Sequence, residues 1–134
     1  MYIFATNIID QVKGKIRFFK LEINGKCEFD EFAGLLESRK DGSKLKTIFA
    51  IMESVSNLNR LPKTKFRELE GRATGDTIKD YEIKKNPYRV YLFKDEKGFI
   101  VVFGSKKASQ KKDIKRLRQI KDEYIKTRKN DYQG

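Results

Sequence analysis

Histidine is absent from this 134-residue chain, and cysteine occurs once, at Cys27. The first absence excludes zinc centres with mixed Cys/His ligands and nucleophiles of the Ser–His or Cys–His kind. Any acid–base chemistry must therefore use Lys, Asp, Glu or Tyr. The second excludes an internal disulfide and points to a reducing, cytoplasmic setting. Cys27 has no base partner in sequence and is expected to pack. No apolar stretch is long enough to span a membrane, and the opening MYIFATNIIDQVKGK lacks the basic leader of a signal peptide. Negative charge is also scarce: 19 Asp and Glu stand against 31 Lys and Arg, a net charge of +12.

What is present favours a folded domain with a basic surface. Only 38% of residues are hydrophobic, but aromatics reach 12%, with ten Phe and six Tyr, which argues against a disordered tail. The length suits one domain, residues 1–134, with a modest core. Residues 101–134 alone hold eleven Lys and Arg against four Asp and Glu. Such asymmetry suits an acidic partner, nucleic acid or protein.

Hydrophobic spacing predicts the elements. Residues 15–23, KIRFFKLEI, read as a strand closed by the Asn24-Gly25 turn, with an earlier extended piece within 1–10. Helices are predicted over 28–39 (Phe29, Phe32, Leu35, Leu36) and 43–57 (Leu45, Ile48, Phe49, Met52, Val55), separated by Asp41-Gly42. Residues 58–80 read as a basic connection or a short edge segment. Strands follow at 81–85, 88–94 and 99–103, with turns at Asn86-Pro87 and Asp95 to Gly98. A long basic helix over 108–129 carries a narrow apolar stripe of Ile114, Leu117, Ile120 and Tyr124. The expected fold is α+β: a small antiparallel sheet of three or four strands, the helical hairpin on one face and a C-terminal basic helix.

The last three strands and the start of the final helix carry the motifs. Tyr81-Glu82-Ile83-Lys84 is followed by Tyr88-Arg89-Val90, then Phe103-Gly104-Ser105-Lys106-Lys107 and Ser109-Gln110-Lys111-Lys112-Asp113-Ile114. In this order, and on these elements, the set resembles the RelE/ParE superfamily of type II toxin–antitoxin toxins, in its HigB-like, phage-associated branch. The likeness spans roughly residues 64–125 in pattern and the whole chain in element order. Lys84 stands where that pattern usually has arginine, the histidines some relatives use are absent, and 71–80 is longer than typical.

The resemblance implies a RelE-like fold and a ribosome-dependent mRNA interferase, an endoribonuclease needing no metal and no cofactor. It also implies a cognate antitoxin with an acidic contact surface and a helix-turn-helix DNA-binding domain, besides the ribosome and mRNA as partners. Such cleavage needs a base for the 2′-hydroxyl, positive charge on the crowded phosphate, and an acid for the leaving oxygen. Arg89, Lys84, Lys106 and Lys107 are the candidate catalytic residues. Arginine offers phosphate a fixed fork of donors, and a lysine among other cations favours its neutral form and can act as a base. Lys65, Arg67, Tyr88, Gln110, Lys111 and Lys112 are candidate RNA contacts, and Tyr88, Tyr91 or Tyr81 could stack on a base. Tyr124 and Tyr132 lie near the C-terminal end, where some relatives place a functional tyrosine.

Duller readings stand beside these. Arg89 could be a structural arginine paired with Glu82, and Lys106 and Lys107 a solvated loop. Gln110 could only start a helix. Gly98 to Lys107 superficially resembles a phosphate loop, but its middle is a strand. Asp76, Asp80 and Glu82 could in principle hold a cation. Two other functions share the fold: a ParE-like DNA gyrase inhibitor, and a catalytically silent RNA- or protein-binding module.

Overall fold

The computed structural model describes the backbone of residues 2–133 and the side chains of residues 2–128. Tyr132, one of the two C-terminal tyrosines singled out above, lies outside the described side chains. Strand β1 is Phe4–Ile8, β2 Phe18–Ile23 and β3 Lys26–Cys27. Helices α1 (Glu28–Ser38) and α2 (Gly42–Ser56) follow, then β4 (Phe66–Glu68), β5 (Asp80–Lys85), β6 (Tyr88–Asp95) and β7 (Gly98–Lys106). A 3-10 turn at Lys107–Ser109 leads into α3, Gln110–Gln133.

The fold is α+β with a mostly antiparallel open sheet, as the hydrophobic spacing predicts, but the sheet is larger than three or four strands. Seven strands lie in the order β1-β2-β7-β6-β5-β4, with β3 also on β2. The extra strands are short, and their pairing comes from neighbours rather than from their own alternation. Beside the antiparallel pairs, β2 and β7 run parallel, with Phe18 opposite Phe99 and Lys20 opposite Val101. Residues 15 and 16 do not join the sheet, and of Arg17 only the carbonyl reaches it, accepting from the Phe99 amide at 3.0 Å; β2 begins at Phe18. Lys15 and Ile16 are held by the end of α2, where Ser56 Oγ donates to the Ile16 carbonyl and the Lys15 and Ile16 amides donate to the Ser56 carbonyl at 3.1 and 3.0 Å.

Alternation along the central strands builds two cores. Tyr88, Val90 and Leu92 of β6, with Phe99 and Val101 of β7, meet Phe29, Phe32 and Leu36 of α1 and Leu45, Ile48 and Met52 of α2. Tyr91 and Phe93, with Ile100, Val102 and Phe103, meet Leu117, Ile120 and Tyr124 of α3. The hairpin and α3 therefore cover opposite faces of the sheet. A bulge makes this possible at β7: Tyr91 pairs with Phe103 but Leu92 with Val101, so Val102 and Phe103 both join the α3 core. Beyond the bulge, Gly104 lies against α1, and a Cβ there would stand 2.6 Å from the Phe32 ring. Fully burying one such large apolar side chain contributes about 1.5–3 kcal/mol, and the two cores share out most of the Phe residues.

Polar latches tie α3 to the sheet. The Lys121 ammonium is fully buried and donates to Asp76 Oδ2 (2.6 Å), Asp80 Oδ2 (2.9 Å) and the Ile78 carbonyl (2.7 Å). Arg118 donates to both oxygens of Asp80 and to the Glu70 and Gly71 carbonyls. At the other end, Tyr124 and Arg128 donate to Asp95 beside the β6–β7 turn. The Tyr124 phenol is pushed up to about 12, chiefly by burial and then by Asp95. No helix of the described residues is long and apolar enough to cross a membrane.

Candidate functional site

The β5–β6 turn, Asn86-Pro87, stands at one end of the sheet, and three other segments converge on it. The Lys107 amide donates to the Pro87 carbonyl at 2.8 Å, which brings the start of the 3-10 turn alongside. The Lys84 amide donates to the Lys65 carbonyl at 2.8 Å, which brings in the segment before β4. Thr47 and Ile51 of α2 close the remaining side. Together they enclose a cleft of about 490 Å³ whose lining includes Lys65, Lys84, Lys85, Arg89 and Lys107 and no carboxylate.

Arg89 is the central group. It is 5% exposed, and its Nη1 donates to Asn86 Oδ1 (3.1 Å) and to the Tyr88 carbonyl (2.9 Å). Its Nε is buried with no hydrogen-bond partner. Among the described residues no carboxylate forms an ion pair with it. The structural reading beside Glu82 is therefore not what the geometry shows. Glu82 is fully buried and occupied otherwise: Arg67 Nη2 stands 2.7 Å from Oε1, and Gln110 Nε2 donates to both oxygens at 2.8 and 3.0 Å. The residue directly opposite Arg89 on β5 is Lys84, a like charge, which disfavours the pair in isolation. Lys84 gains partial relief from Glu82 Oε1 at 3.7 Å.

Of the sequence candidates, Lys65, Lys84, Arg89 and Lys107 are brought together here. Arg67 and Gln110 are not in the lining but hold Glu82 beneath it. Lys106 diverges from Lys107 because β7 continues through Lys106 and the 3-10 turn begins one residue later. It lines a separate, larger groove of about 630 Å³ with mixed charge, which includes Glu28, Glu31, Arg39 and Lys106. Tyr88 borders that groove and is 3% exposed, with its ring edge-on to Phe32 and its hydroxyl on Asp41. The hydrogen bond raises the Tyr88 phenol and lowers the Asp41 carboxyl. Lys111 and Lys112 are exposed on the first turn of α3, away from the cleft lining. Tyr91 is fully buried, and its phenol is raised chiefly by that burial. Tyr124 belongs to the α3 core.

The sequence reading missed Lys85, Asn86, Thr47, Thr64 and Ile51. The Lys84-Lys85 pair before a turn is a usable signal for the first two, whereas Thr47 and Ile51 arrive only through tertiary packing. The carboxylates considered for a cation serve cationic side chains instead: Asp76 and Asp80 take Lys121, and Glu82 takes Arg67. Cys27 is half-buried at the start of α1, and burial pushes its thiol up. Chemically, the cleft offers donors and positive charge to an anion. Comparison with family models, with curated proteins and with solved structures gives no match.

Proposed function

We propose that this chain is the toxin of a type II toxin–antitoxin pair and acts as a ribosome-dependent endoribonuclease, an mRNA interferase. The observation that carries the reading is Arg89, a nearly buried guanidinium without a carboxylate partner among the described residues, in the wall of a cleft lined by four lysines. A buried charge without a counter-charge is unfavourable unless an anion completes it, and an RNA phosphate is a match for a guanidinium fork.

In this reading the 2′-oxygen attacks the adjacent phosphorus, the O2′–P bond forms and the P–O5′ bond breaks. The 2′ proton passes to a base and the leaving 5′ oxygen takes a proton from an acid. Arg89 stabilises the charge on the phosphate oxygens. With no carboxylate or phenol in the lining, amines among Lys65, Lys84, Lys85 and Lys107 carry the protons. The same composition is what favours the second reading, a silent RNA-binding module of this fold, because donors alone suffice for binding. An antitoxin with an acidic contact surface and a helix-turn-helix DNA-binding domain would neutralise the basic surface.

The test is expression under tight control with mapping of mRNA 5′ ends. Cleavage is expected, and Arg89→Ala is expected to reduce it by about 10²–10³, as loss of a donor to developing charge does elsewhere. Arg89→Lys largely fails as well, because it keeps the charge and loses the fork. Growth arrest without new 5′ ends would leave the binding module. A well-folded Arg89→Ala chain that cuts like the parent would remove this residue from the site.

A further inference from the structure

We infer that the outer edge of β1 pairs antiparallel with the same strand of a second copy of this chain, joining two sheets into one; the inference does not depend on the RNA reading. β1 is the last strand at its end of the sheet, and among the described residues no strand pairs with its outer side. Two bonds at its ends show which backbone groups are left over. The Asn24 amide donates to the Ile3 carbonyl and the Ile9 amide to the Phe18 carbonyl, both at 2.8 Å. Antiparallel ladders alternate, so Ala5 and Asn7 also bond to β2, whereas Phe4, Thr6 and Ile8 turn their amides and carbonyls outward. Sheets usually blunt such an edge with charge, proline or brevity. The opposite edge follows that rule, since β4 is three residues long and two of them are Arg67 and Glu68. β1 does not follow it. Residues 1–9, MYIFATNII, hold no charged side chain and no proline, in a chain that is 37% charged.

The occupant follows from the strand's own sequence. Set against itself about Thr6, the strand places Thr6 opposite Thr6 and Phe4 opposite Ile8 twice over, and every outward amide meets a carbonyl. Thr–Thr and aromatic–β-branched pairs are favourable cross-strand neighbours, and no like charges face each other along the strand. Five large apolar side chains remain exposed among the described residues, and three of them, Tyr2, Ile3 and Ile8, lie on or beside β1. Ile3 is 69% and Ile8 46% exposed, and pairing brings Phe4 of the second copy over Ile8. The charge of +12 on each copy opposes the approach. Its nearest source is the exposed Lys97, whose Nζ donates to Thr6 Oγ1. Repulsion between exposed groups is screened by salt, so self-association strengthens as salt rises, the reverse of polyanion binding. No residue of β1 lines the Arg89 cleft, and the paired form keeps both clefts open.

Sedimentation velocity on the full chain follows association up to about 100 µM, the range in which small interfaces hold. The mass is expected to rise from monomer toward dimer, more steeply in high salt. Thr6→Pro removes an outward amide that does not serve β2, and Ile8→Lys sets a charge opposite Phe4. Each should weaken association by about tenfold or more, while Leu58→Lys, at an exposed apolar residue away from β1, leaves it unchanged. Should Thr6→Pro fail to fold, as circular dichroism would show, Ile8→Lys carries the test. Hydrogen exchange locates the contact: the Phe4, Thr6 and Ile8 amides become protected as concentration rises, whereas Ala5 and Asn7 are protected throughout. A parent that stays monomeric overturns the inference and leaves the edge to a strand of a different protein. A dimer that Ile8→Lys does not weaken, or whose Phe4, Thr6 and Ile8 amides exchange equally at all concentrations, uses another surface and overturns it as well.

Discussion

A guanidinium that is almost wholly buried, opposite a lysine and without a carboxylate partner among the described residues, is a poor choice for stability alone. At a purely structural position, the removal of a buried arginine breaks its partnerships and destabilises. At Arg89 the partnerships are two hydrogen bonds, to Asn86 and to the Tyr88 carbonyl. An isolated buried charge carries a desolvation cost with no counter-charge to offset it, and an apolar side chain of similar length removes that cost. Arg89→Met is therefore expected to keep or raise the urea midpoint while RNA binding falls. A clear drop in the midpoint would return Arg89 to the scaffold. The sequence made Arg89 visible as a charged residue within an apolar strand, but not its relation to Glu82. That carboxylate is one strand away, and only the register and the approach of α3 determine that Arg67 and Gln110 reach it first. Tyr88 was obscured for the same kind of reason, since a tyrosine beside a turn reads as exposed until Phe32 and Asp41 arrive from another element.

Among the elements, the segment from Leu69 to Asp80 shows where local reading runs out. It has no repeating pattern of its own, and α3 holds it through Arg118 and the buried Lys121. Burial acts to raise the Asp76 carboxyl, but the Lys121 ammonium and the Ile78 amide outweigh it, so the group lies below its ordinary value. A carboxyl depressed on folding contributes stability that is complete above its unfolded value, about 3.9, and is lost as pH falls through the folded value. Asp76→Asn should therefore lower the urea midpoint at pH 7, equally at pH 5, and the gap to the parent should narrow toward pH 3. A gap that does not change with pH would mean the contribution is not that of the charged form. The helical hairpin, in contrast, was legible because its apolar spacing is strong: of the residues read as its apolar face, Leu35 is exposed, Phe49 is half-buried and the others are buried. Strands β1, β3 and β4 are five, two and three residues long, too short for alternation to register, and they exist because β2 and β5 offer an edge.

At the level of the whole molecule, charge is distributed unevenly over a compact body. Among the described residues four carboxylates are buried, Asp80, Glu82, Asp95 and Asp113, against two cations, Arg89 and Lys121. The surface an approaching polyanion meets is thus more basic than the net charge of +12 suggests. Binding to single-stranded RNA should weaken steeply with salt. Contact with about four phosphates gives a slope of roughly −3 in log Kd,app⁻¹ against log salt. A nearly flat response between low and physiological salt would separate the basic surface from the binding event.

The parallel pairing of β2 with β7 also bears on how the protein is made. Phe18 finds its sheet neighbour in Phe99, so the hairpin of α1 and α2 leaves the ribosome long before the strands that cover its apolar face. A nascent chain cannot close its first core until β6 and β7 have been synthesised, and the Arg89 cleft is completed later still, when Lys107 docks on Pro87. Assembled in this order, the cleft is absent until Lys107 has been made, and a chain that stops before β6 leaves the apolar face of its hairpin uncovered.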